Sequence, residues 1–162
     1  MIAKDDMVPV LLDACPSFIP AWRAFLAEWR GEADQPLYLA LGDLARHLIG
    51  LVERGETTEL PAVFRVVERW HLEGEEYVRT AATVGLLEDL QNWNLHEHGT
   101  DPAQFRGMLG PESARCWDEL AASWDEFFQA QAAEQRHAEL GATADPRPHG
   151  LPEVGGSRGG GG

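Results

Sequence analysis

The sequence predicts an all-α protein, a compact bundle of about seven helices followed by a disordered C-terminal tail rich in glycine and proline. Apolar residues recur at the three- and four-residue spacing of a helix face through most of residues 7–140. Short turns rich in glycine, proline and polar residues separate these segments. Residues 37–92 are the clearest stretch, with three consecutive amphipathic helices and no strand pattern. Because each helix has one apolar face, we expect helix packed on helix.

The first two helices are short. The first is predicted to begin at Asp5 and Asp6, whose charges suit a helix N-terminus, and to end before Pro16. The second covers about residues 20–30. Its buried face is formed by large side chains at helical spacing: Trp22, Phe25, Leu26 and Trp29.

The third and fourth helices each begin near a proline, which is tolerated in a first helical turn. For the third, Pro36 lies in that turn and Asp34 is the predicted cap. For the fourth, Pro61 lies in that turn and Thr57 or Thr58 is the predicted cap. Glycines after each apolar stripe are the predicted ends.

Three further helices complete the bundle. The fifth runs over about residues 75–91 and contains Gly85. Glycine inside a helix costs about 1 kcal/mol relative to alanine, so we interpret Gly85 as the point where another helix packs closely. A short sixth helix is predicted to be capped by Thr100. The seventh covers residues 111–140 and has the most regular apolar stripe: Ala114, Trp117, Leu120, Ala121, Trp124, Phe127 and Phe128.

The domain organisation follows from composition. Residues 1–140 are predicted to form a single helical domain, whose middle three helices are compatible with solenoid-like stacking. Residues 141–162 include eight glycines and three prolines among 22 residues. Such a segment buries too little apolar surface to offset the entropy of ordering, so we predict a disordered tail.

The charge balance restricts the partners. There are 27 acidic residues against 13 basic ones, a net charge of −14, and Lys4 is the only lysine. Nucleic-acid binding needs a basic face, and an anionic membrane repels acidic protein, so we exclude both as direct partners. A basic protein partner is permitted, since opposite charge accelerates association. Plain solvated charge is the simpler interpretation.

The cysteines and the N-terminal residues favour a cytoplasmic location. Cys15 and Cys116 lack CxxC spacing and have no histidine at ligand spacing, which is typical of a reducing compartment. Residues 1–15 carry three aspartates around a short apolar run, unlike a secretory signal. No window approaches the roughly 20 apolar residues of a membrane span.

One cluster of residues resembles a metal site. His96, Glu97 and His98 are neighbours in a connector, and His71 with Glu73 lies at the end of the fourth helix. Imidazole and carboxylate groups are zinc ligands. However, the spacing is not the HExxH pattern that places two rings on one helix face, so a polar solvated connector is the preferred interpretation. We predict no cofactor and assign no catalytic residue.

Two further polar groups lie on predicted helices. Asp43 and His47 on the third helix are four residues apart, which favours a surface ion pair over a binding site that also includes Arg46. Glu88 and Asp89 are adjacent on the fifth helix and point about 100° apart, so they do not face each other. We expect these two carboxylates to meet an arginine of a neighbouring helix or of a partner.

The segments LGDLAR at residues 41–46 and VGLLEDL at residues 84–90 resemble a family of small, helical, uncharacterised bacterial proteins known as a domain of unknown function. The resemblance covers about residues 12–92 and excludes the seventh helix and the tail. It implies a bacterial origin and an association with toxin–immunity loci, where small acidic proteins neutralise toxins. It implies no catalytic residue.

We therefore predict a non-enzymatic, acidic protein-binding module, such as an immunity-type inhibitor of a basic protein. The predicted binding residues are Trp70, Glu73, Glu75, Glu76, Glu88, Asp89 and Trp93. One alternative is a metal-dependent enzyme that uses the histidine and glutamate cluster of residues 71–98. Another is an oligomerising structural protein, in which the aromatic seventh helix packs on its copy. The sequence leaves the oligomeric state open.

Overall fold

A computed structural model describes residues 1–142, and within them the predicted all-α class is confirmed, with seven helices and no β-strand. The helices are α1 (Lys4–Ala14), α2 (Ile19–Glu28), α3 (Leu37–Glu53), α4 (Leu60–Glu73), α5 (residues 76–91), α6 (Pro102–Arg106) and α7 (Pro111–Ala142). Helix α5 joins an α-helical turn (Glu76–Thr80), a π-helical segment (Ala81–Leu87) and a last turn (Glu88–Gln91). Two 3₁₀ turns, Pro16–Phe18 and Trp93–Leu95, precede α2 and follow α5.

The helices lie close to their predicted positions, but three predicted caps are wrong. Asp34 does not cap α3, because its carboxylate pairs with the Lys4 ammonium at 2.6 Å. Neither predicted threonine caps α4, which begins without a side-chain cap. Helix α6 is capped by Asp101 rather than Thr100, in a capping box closed by Gln104.

The core is a single cluster of buried side chains drawn from almost every helix. Helices α3, α4 and α5 supply most of it, as their continuous apolar stripes predicted. The largest fully buried side chains come from α1, the first 3₁₀ turn, α4 and α6: Met7, Phe18, Trp70 and Phe105. Among the predicted aromatic packing residues, Trp117 is buried while Trp124 is partly exposed.

Helices α3 and α5 approach each other closely at Gly85, as its position inside a helix predicted. A Cβ atom on Gly85 would lie 2.8 Å from Leu41 Cδ1 and 3.3 Å from Tyr38 Cδ1. This contact falls within the π-helical segment of α5. A π-helical turn inside an α-helix frequently marks a functional region, and the residues that follow it here are the acidic pair Glu88 and Asp89.

The N-terminal residues are attached to the turn between α4 and α5. The Ile2 N–H donates to the Glu73 carbonyl at 2.8 Å, and the Glu75 N–H donates to the Ile2 carbonyl at 2.9 Å. The Lys4 backbone N–H donates to Glu75 Oε1 at 2.9 Å, and the Lys4 ammonium lies 4.7 Å from the centre of the Tyr77 ring.

Contacts divide the chain into two units, residues 1–124 and 125–162. The described part of the second unit, residues 125–142, is helical with exposed side chains. Helix α7 includes Gly141 and Ala142, the last two residues that the structure describes. Residues 143–162 lie outside the described part of the chain, and the predicted domain limit at residue 140 stays a prediction.

Within the described residues, no single helix has the length and apolar composition to cross a membrane. The segments Lys4–Ala14 and Pro16–Glu28 meet that test only when joined, and they are bent by 111° relative to each other.

Candidate functional site

Trp70, a predicted anchor for a protein partner, is a core residue. Its side chain is 0% exposed, on the inner face of α4. The indole N–H has no hydrogen-bond partner within residues 1–142. The prediction required an exposed ring at the helix end, but the helical period places this position inward. Trp70 is therefore not available to a partner at the surface.

Of the three predicted acidic residues around the α4–α5 turn, two already have partners within the chain. Glu73 forms an ion pair with Arg69 at 3.1 Å. Glu75 accepts a hydrogen bond from the Lys4 backbone N–H at 2.9 Å. Glu76 is exposed in the first turn of α5, where a negative charge suits the helix dipole. Of the three, Glu75 therefore links the turn to the N-terminal residues, whereas Glu73 pairs within its own helix.

Glu88 and Asp89 form a partly buried acidic pair in the last turn of α5. Burial raises the pKa of Glu88, and the neighbouring charge of Asp89 raises it further. Burial also raises the pKa of Asp89, although the Arg46 guanidinium on α3 opposes this. The Asp89 side chain lies against α3. A Cβ atom added to Gly42 of that helix would be 3.0 Å from Asp89 Oδ2. For Asp89 the expected arginine of a neighbouring helix is therefore present, but it does not fully offset the effect of burial on the pKa.

Trp93 is the exposed aromatic residue next to this pair. It begins the 3₁₀ turn after α5, and its side chain is 65% exposed. The Asn92 N–H donates to the Asp89 carbonyl at 3.1 Å, which ties the turn to the helix end. The Trp93 ring contacts the His96 ring edge to face, with centroids 6.3 Å apart. The ring and the two carboxylates therefore share one end of α5.

The structure does not bring the four predicted metal ligands together. His71 is buried, with Nδ1 2.8 Å from Ser113 Oγ and Nε2 3.1 Å from Thr83 Oγ1. His96 is also buried, with Nδ1 2.8 Å from Thr100 Oγ1 and Nε2 2.8 Å from the Leu90 carbonyl oxygen. Both nitrogens of each ring thus form hydrogen bonds.

Glu97 and His98, the other two members of that prediction, are exposed in the connector. In the described part of the chain, only one group of three or more histidine, cysteine, aspartate or glutamate residues has ligand atoms that all lie within 4.8 Å of one another. It consists of Cys15, His47 and Glu59. We call these three residues, with the adjacent Ser17, the Cys15 cluster.

Three separate elements assemble the Cys15 cluster. Cys15 follows the end of α1, where the proline at the next position stops the helix, and Ser17 lies in the 3₁₀ turn. His47 is on α3, and Glu59 immediately precedes α4. Cys15 is 0% exposed, His47 and Glu59 are half-buried, and Ser17 is exposed. The cluster is therefore a small polar site with a buried thiol at its base and an opening to solvent.

Hydrogen bonds connect all four side chains. The Cys15 thiol donates to Glu59 Oε2 at 3.3 Å and lies 3.6 Å from Ser17 Oγ. Ser17 Oγ is 2.7 Å from His47 Nε2 and donates to Glu59 Oε2. The Ser17 backbone N–H donates to Glu59 Oε1 at 3.2 Å. The serine oxygen thus lies between the three other polar groups.

The electrostatics of the cluster argue against a nucleophilic thiolate. Burial raises the pKa of Cys15 to about 11, and Glu59 adds to this while Ser17 opposes it. Burial and the Arg54 charge lower the pKa of His47. For Glu59, hydrogen bonds from Ser17 and Cys15 outweigh the effect of burial and lower the pKa. At neutral pH the cluster holds a thiol, a neutral imidazole and a carboxylate.

Sequence reasoning missed this cluster because its members are far apart in the chain. Cys15 has no histidine at ligand spacing, and the partners come from positions 47 and 59. The predicted ion pair of Asp43 with His47 is wrong, because His47 turns toward Ser17 and Asp43 pairs with Arg46 at 3.5 Å. No local spacing signals this arrangement.

The chain matches a model of a protein family, whereas no curated protein and no solved structure matches it. The match, to the domain of unknown function DUF7674, spans residues 8–125. It therefore extends beyond the expected limit at residue 92 and includes the first part of α7, with Trp117. Since the match covers most of the sequence, the chain belongs to the DUF7674 family of domains of unknown function.

Proposed function

We propose that this protein is a non-enzymatic acidic protein-binding module that binds a basic protein at the C-terminal end of α5. The observation that carries the proposal is the partial burial of Glu88 and Asp89, which raises the pKa of both without a bound partner. Two charges that are already partly desolvated lose less hydration when a cation docks. Their attraction to that cation is also stronger than in open water.

Trp93 supplies the apolar contact in this proposal. It follows Asp89 by four positions and is 65% exposed. Tryptophan is enriched among the residues that dominate interface energies, because its large ring buries much area at a small entropy cost. An arginine-rich surface suits this combination, since a guanidinium both pairs with carboxylates and stacks on aromatic rings.

The net charge supports the basic character of the partner. A chain of 162 residues with a net charge of −14 attracts a cationic protein over distances near the Debye length, about 8 Å at physiological salt. Such steering raises the association rate and weakens as salt is added. An immunity-type inhibitor is the specific form of this proposal, in which binding blocks the activity of the basic partner.

The test is partner capture followed by quantitative binding. The full chain is used as bait in its native host at low salt, and each recovered basic protein is purified and titrated by calorimetry. We expect the Glu88→Gln/Asp89→Asn variant and the Trp93→Ala variant each to bind about 10-fold more weakly or worse. Affinity should fall with salt, and an immunity-type partner should lose its activity on binding.

The matched control is Glu28→Gln/Glu53→Gln, which removes the same charge at the ends of α2 and α3. We expect this control to keep its affinity within about threefold, because it changes only the long-range field. Equal loss in both double variants would reduce the proposal to net charge and refute the docking position. If no basic protein is recovered whose binding depends on Glu88, Asp89 and Trp93, the binding function is refuted.

The two alternative functions have less support. The metal-dependent enzyme at residues 71–98 lacks an assembled ligand set, since His71 and His96 form hydrogen bonds at separate positions. The oligomerising protein depends on the aromatic part of α7, where the Phe127 and Phe128 rings contact each other with centroids 5.7 Å apart. Oligomerisation through this part of α7 stays a prediction.

A further inference from the structure

We propose that Cys15, His47 and Glu59 form a binding site for a divalent transition metal of the zinc type, with a solvent molecule as the fourth ligand. The proposal concerns a face of the molecule formed by α1, α3 and α4, and it is independent of the protein-binding proposal at α5. It rests on the distances, burial and donor chemistry of the cluster.

The spacing of the donor atoms fits a tetrahedral metal. With bonds of about 2.3 Å to sulfur and about 2.0–2.1 Å to nitrogen or oxygen, neighbouring ligands of zinc lie about 3.3–3.6 Å apart. The Cys15 sulfur and a Glu59 oxygen are 3.3 Å apart, and all three donor atoms lie within 4.8 Å of one another. Binding therefore requires only small side-chain adjustments.

Ser17 marks the centre of the site. Its Oγ is 3.6 Å from Cys15 Sγ, 2.7 Å from His47 Nε2 and in hydrogen-bond contact with Glu59 Oε2. A point near all three donors is where a metal ion would lie. Because Ser17 is exposed, rotation of its side chain vacates this point without disturbing the core. We therefore assign the three other residues as ligands and Ser17 as the group that the metal displaces.

The donor set selects the class of metal. Thiolate, imidazole and carboxylate together suit zinc and its neighbours, whereas calcium and magnesium prefer oxygen ligands alone. When the thiol gives up its proton to solvent on binding, the thiolate and the carboxylate supply two negative charges. These balance one divalent cation, so the occupied site is close to neutral. Three protein ligands with an open fourth position is the pattern in which zinc retains a water molecule.

The fold holds the three ligands in place before metal arrives. Cys15 and His47 are attached to helices that contribute to the core, and Glu59 adjoins the first turn of α4. Their separation of 32 and 12 positions in sequence means that only the folded chain presents the complete set. The nearby cation Arg54 pairs with Glu56 at 3.4 Å, which reduces its repulsion of a metal ion.

The experiment uses Co²⁺ as a spectroscopic substitute for zinc on full-length protein stripped of metal by a chelator. We expect one ion per chain, a near-ultraviolet band from cobalt bound to thiolate, and the visible bands of tetrahedral cobalt. Zinc should displace the cobalt and abolish these bands. Because the chain has only two cysteines, a Cys116→Ser variant that keeps the thiolate band assigns the band to Cys15.

Ligand variants and a matched control complete the test. Cys15→Ser should abolish the thiolate band, and His47→Gln and Glu59→Gln should each weaken binding at least about 10-fold. Ser17→Ala removes the hydrogen bonds of the serine hydroxyl but keeps all three ligands, so it should bind metal within about threefold of wild type. Circular dichroism checks that each variant folds. If the ligand variants do not fold, the Cys116→Ser variant still decides whether the thiolate band comes from Cys15.

Three outcomes would overturn the proposal. The first is binding well below one ion per chain at micromolar metal. The second is a cobalt spectrum without a thiolate band, which would place the ion on surface histidines. The third is a loss in Ser17→Ala as large as that in the ligand variants, which would mean that the three ligands are assigned incorrectly.

Discussion

The Glu68 carboxylate on α4 accepts a hydrogen bond from the backbone N–H of Ser113 at 2.8 Å. Its other oxygen accepts from the Glu112 N–H at 2.9 Å. Burial acts to raise the pKa of Glu68, but these amide hydrogen bonds outweigh it and lower the pKa. A side chain from one helix thus caps the N-terminus of another that begins more than forty positions later. This contact attaches the first turn of α7 to α4.

Loss of this cap should destabilise the protein. We expect Glu68→Ala to lower the free energy of unfolding by about 1–2 kcal/mol, because it leaves two helix N–H groups without a charged acceptor. Urea unfolding followed by circular dichroism measures this. The control is Glu53→Ala at the exposed end of α3, which should change stability by less than about 0.5 kcal/mol. Equal stability of the two variants would contradict the capping role.

The close approach of α3 and α5 should make Gly85 intolerant of a side chain. A Cβ atom there would lie 2.8 Å from Leu41 Cδ1, and both residues are buried. We expect Gly85→Ala to cost about 1–3 kcal/mol, as overpacking of a core does. Thermal unfolding of wild type and variant tests this.

Gly50 on α3 is the matched control. A Cβ atom there would meet only the end of the flexible Arg54 side chain, at 2.9 Å. Gly50→Ala should therefore be neutral or should stabilise the protein by up to about 1 kcal/mol through helix propensity. If Gly85→Ala behaved like Gly50→Ala, the two helices would have room that the structure does not show.

Stability should rise with pH around the titration of His71. Burial lowers the pKa of His71 below its ordinary value of 6.5, while the charges of Glu68 and Glu112 oppose this and Arg115 adds to it. As the pH falls below 6.5, the unfolded chain therefore takes up a proton at this residue before the folded chain does. The free energy of unfolding then decreases with falling pH until the folded-state pKa is reached, by at most about 1.4 kcal/mol per pH unit.

Urea unfolding at several pH values between 5 and 8 measures this slope. His71→Gln should remove the part of the slope due to His71, although the variant is less stable overall because it changes a buried hydrogen-bonded group. An unchanged slope in His71→Gln would show that other groups cause the pH dependence.

The acidic pair at the end of α5 should be a site where binding and stability oppose each other. Burial raises the pKa of Glu88 and Asp89, so their ionised forms favour the unfolded chain at neutral pH. We therefore expect Glu88→Gln/Asp89→Asn to raise the melting temperature at pH 7. The gain should shrink at pH 4 and below, where the wild-type carboxylates become protonated. A lower melting temperature at pH 7 would mean that the two ionised carboxylates stabilise the fold, which contradicts the raised pKa values.

Much of the fold could be predicted because helix formation is encoded locally. The period of apolar residues placed α3, α4 and α5, and Gly85 indicated where two helices meet. Caps were predicted less well. Asp34 and Thr100 are suitable cap residues. However, Asp34 forms an ion pair with Lys4 of α1, and Asp101 instead of Thr100 caps α6. Competition for a cap depends on neighbours that the local sequence does not reveal.

The sequence by itself determined the all-α class, the approximate helix limits and the acidic character, because each depends on residue type and short-range spacing. Only the tertiary structure decided which polar groups meet. It buried Trp70, separated His71 from His96, and brought Cys15 to His47 and Glu59. The physical reason is that helix packing sets the distance between side chains remote in sequence, and both a metal site and a long-range cap depend on that distance.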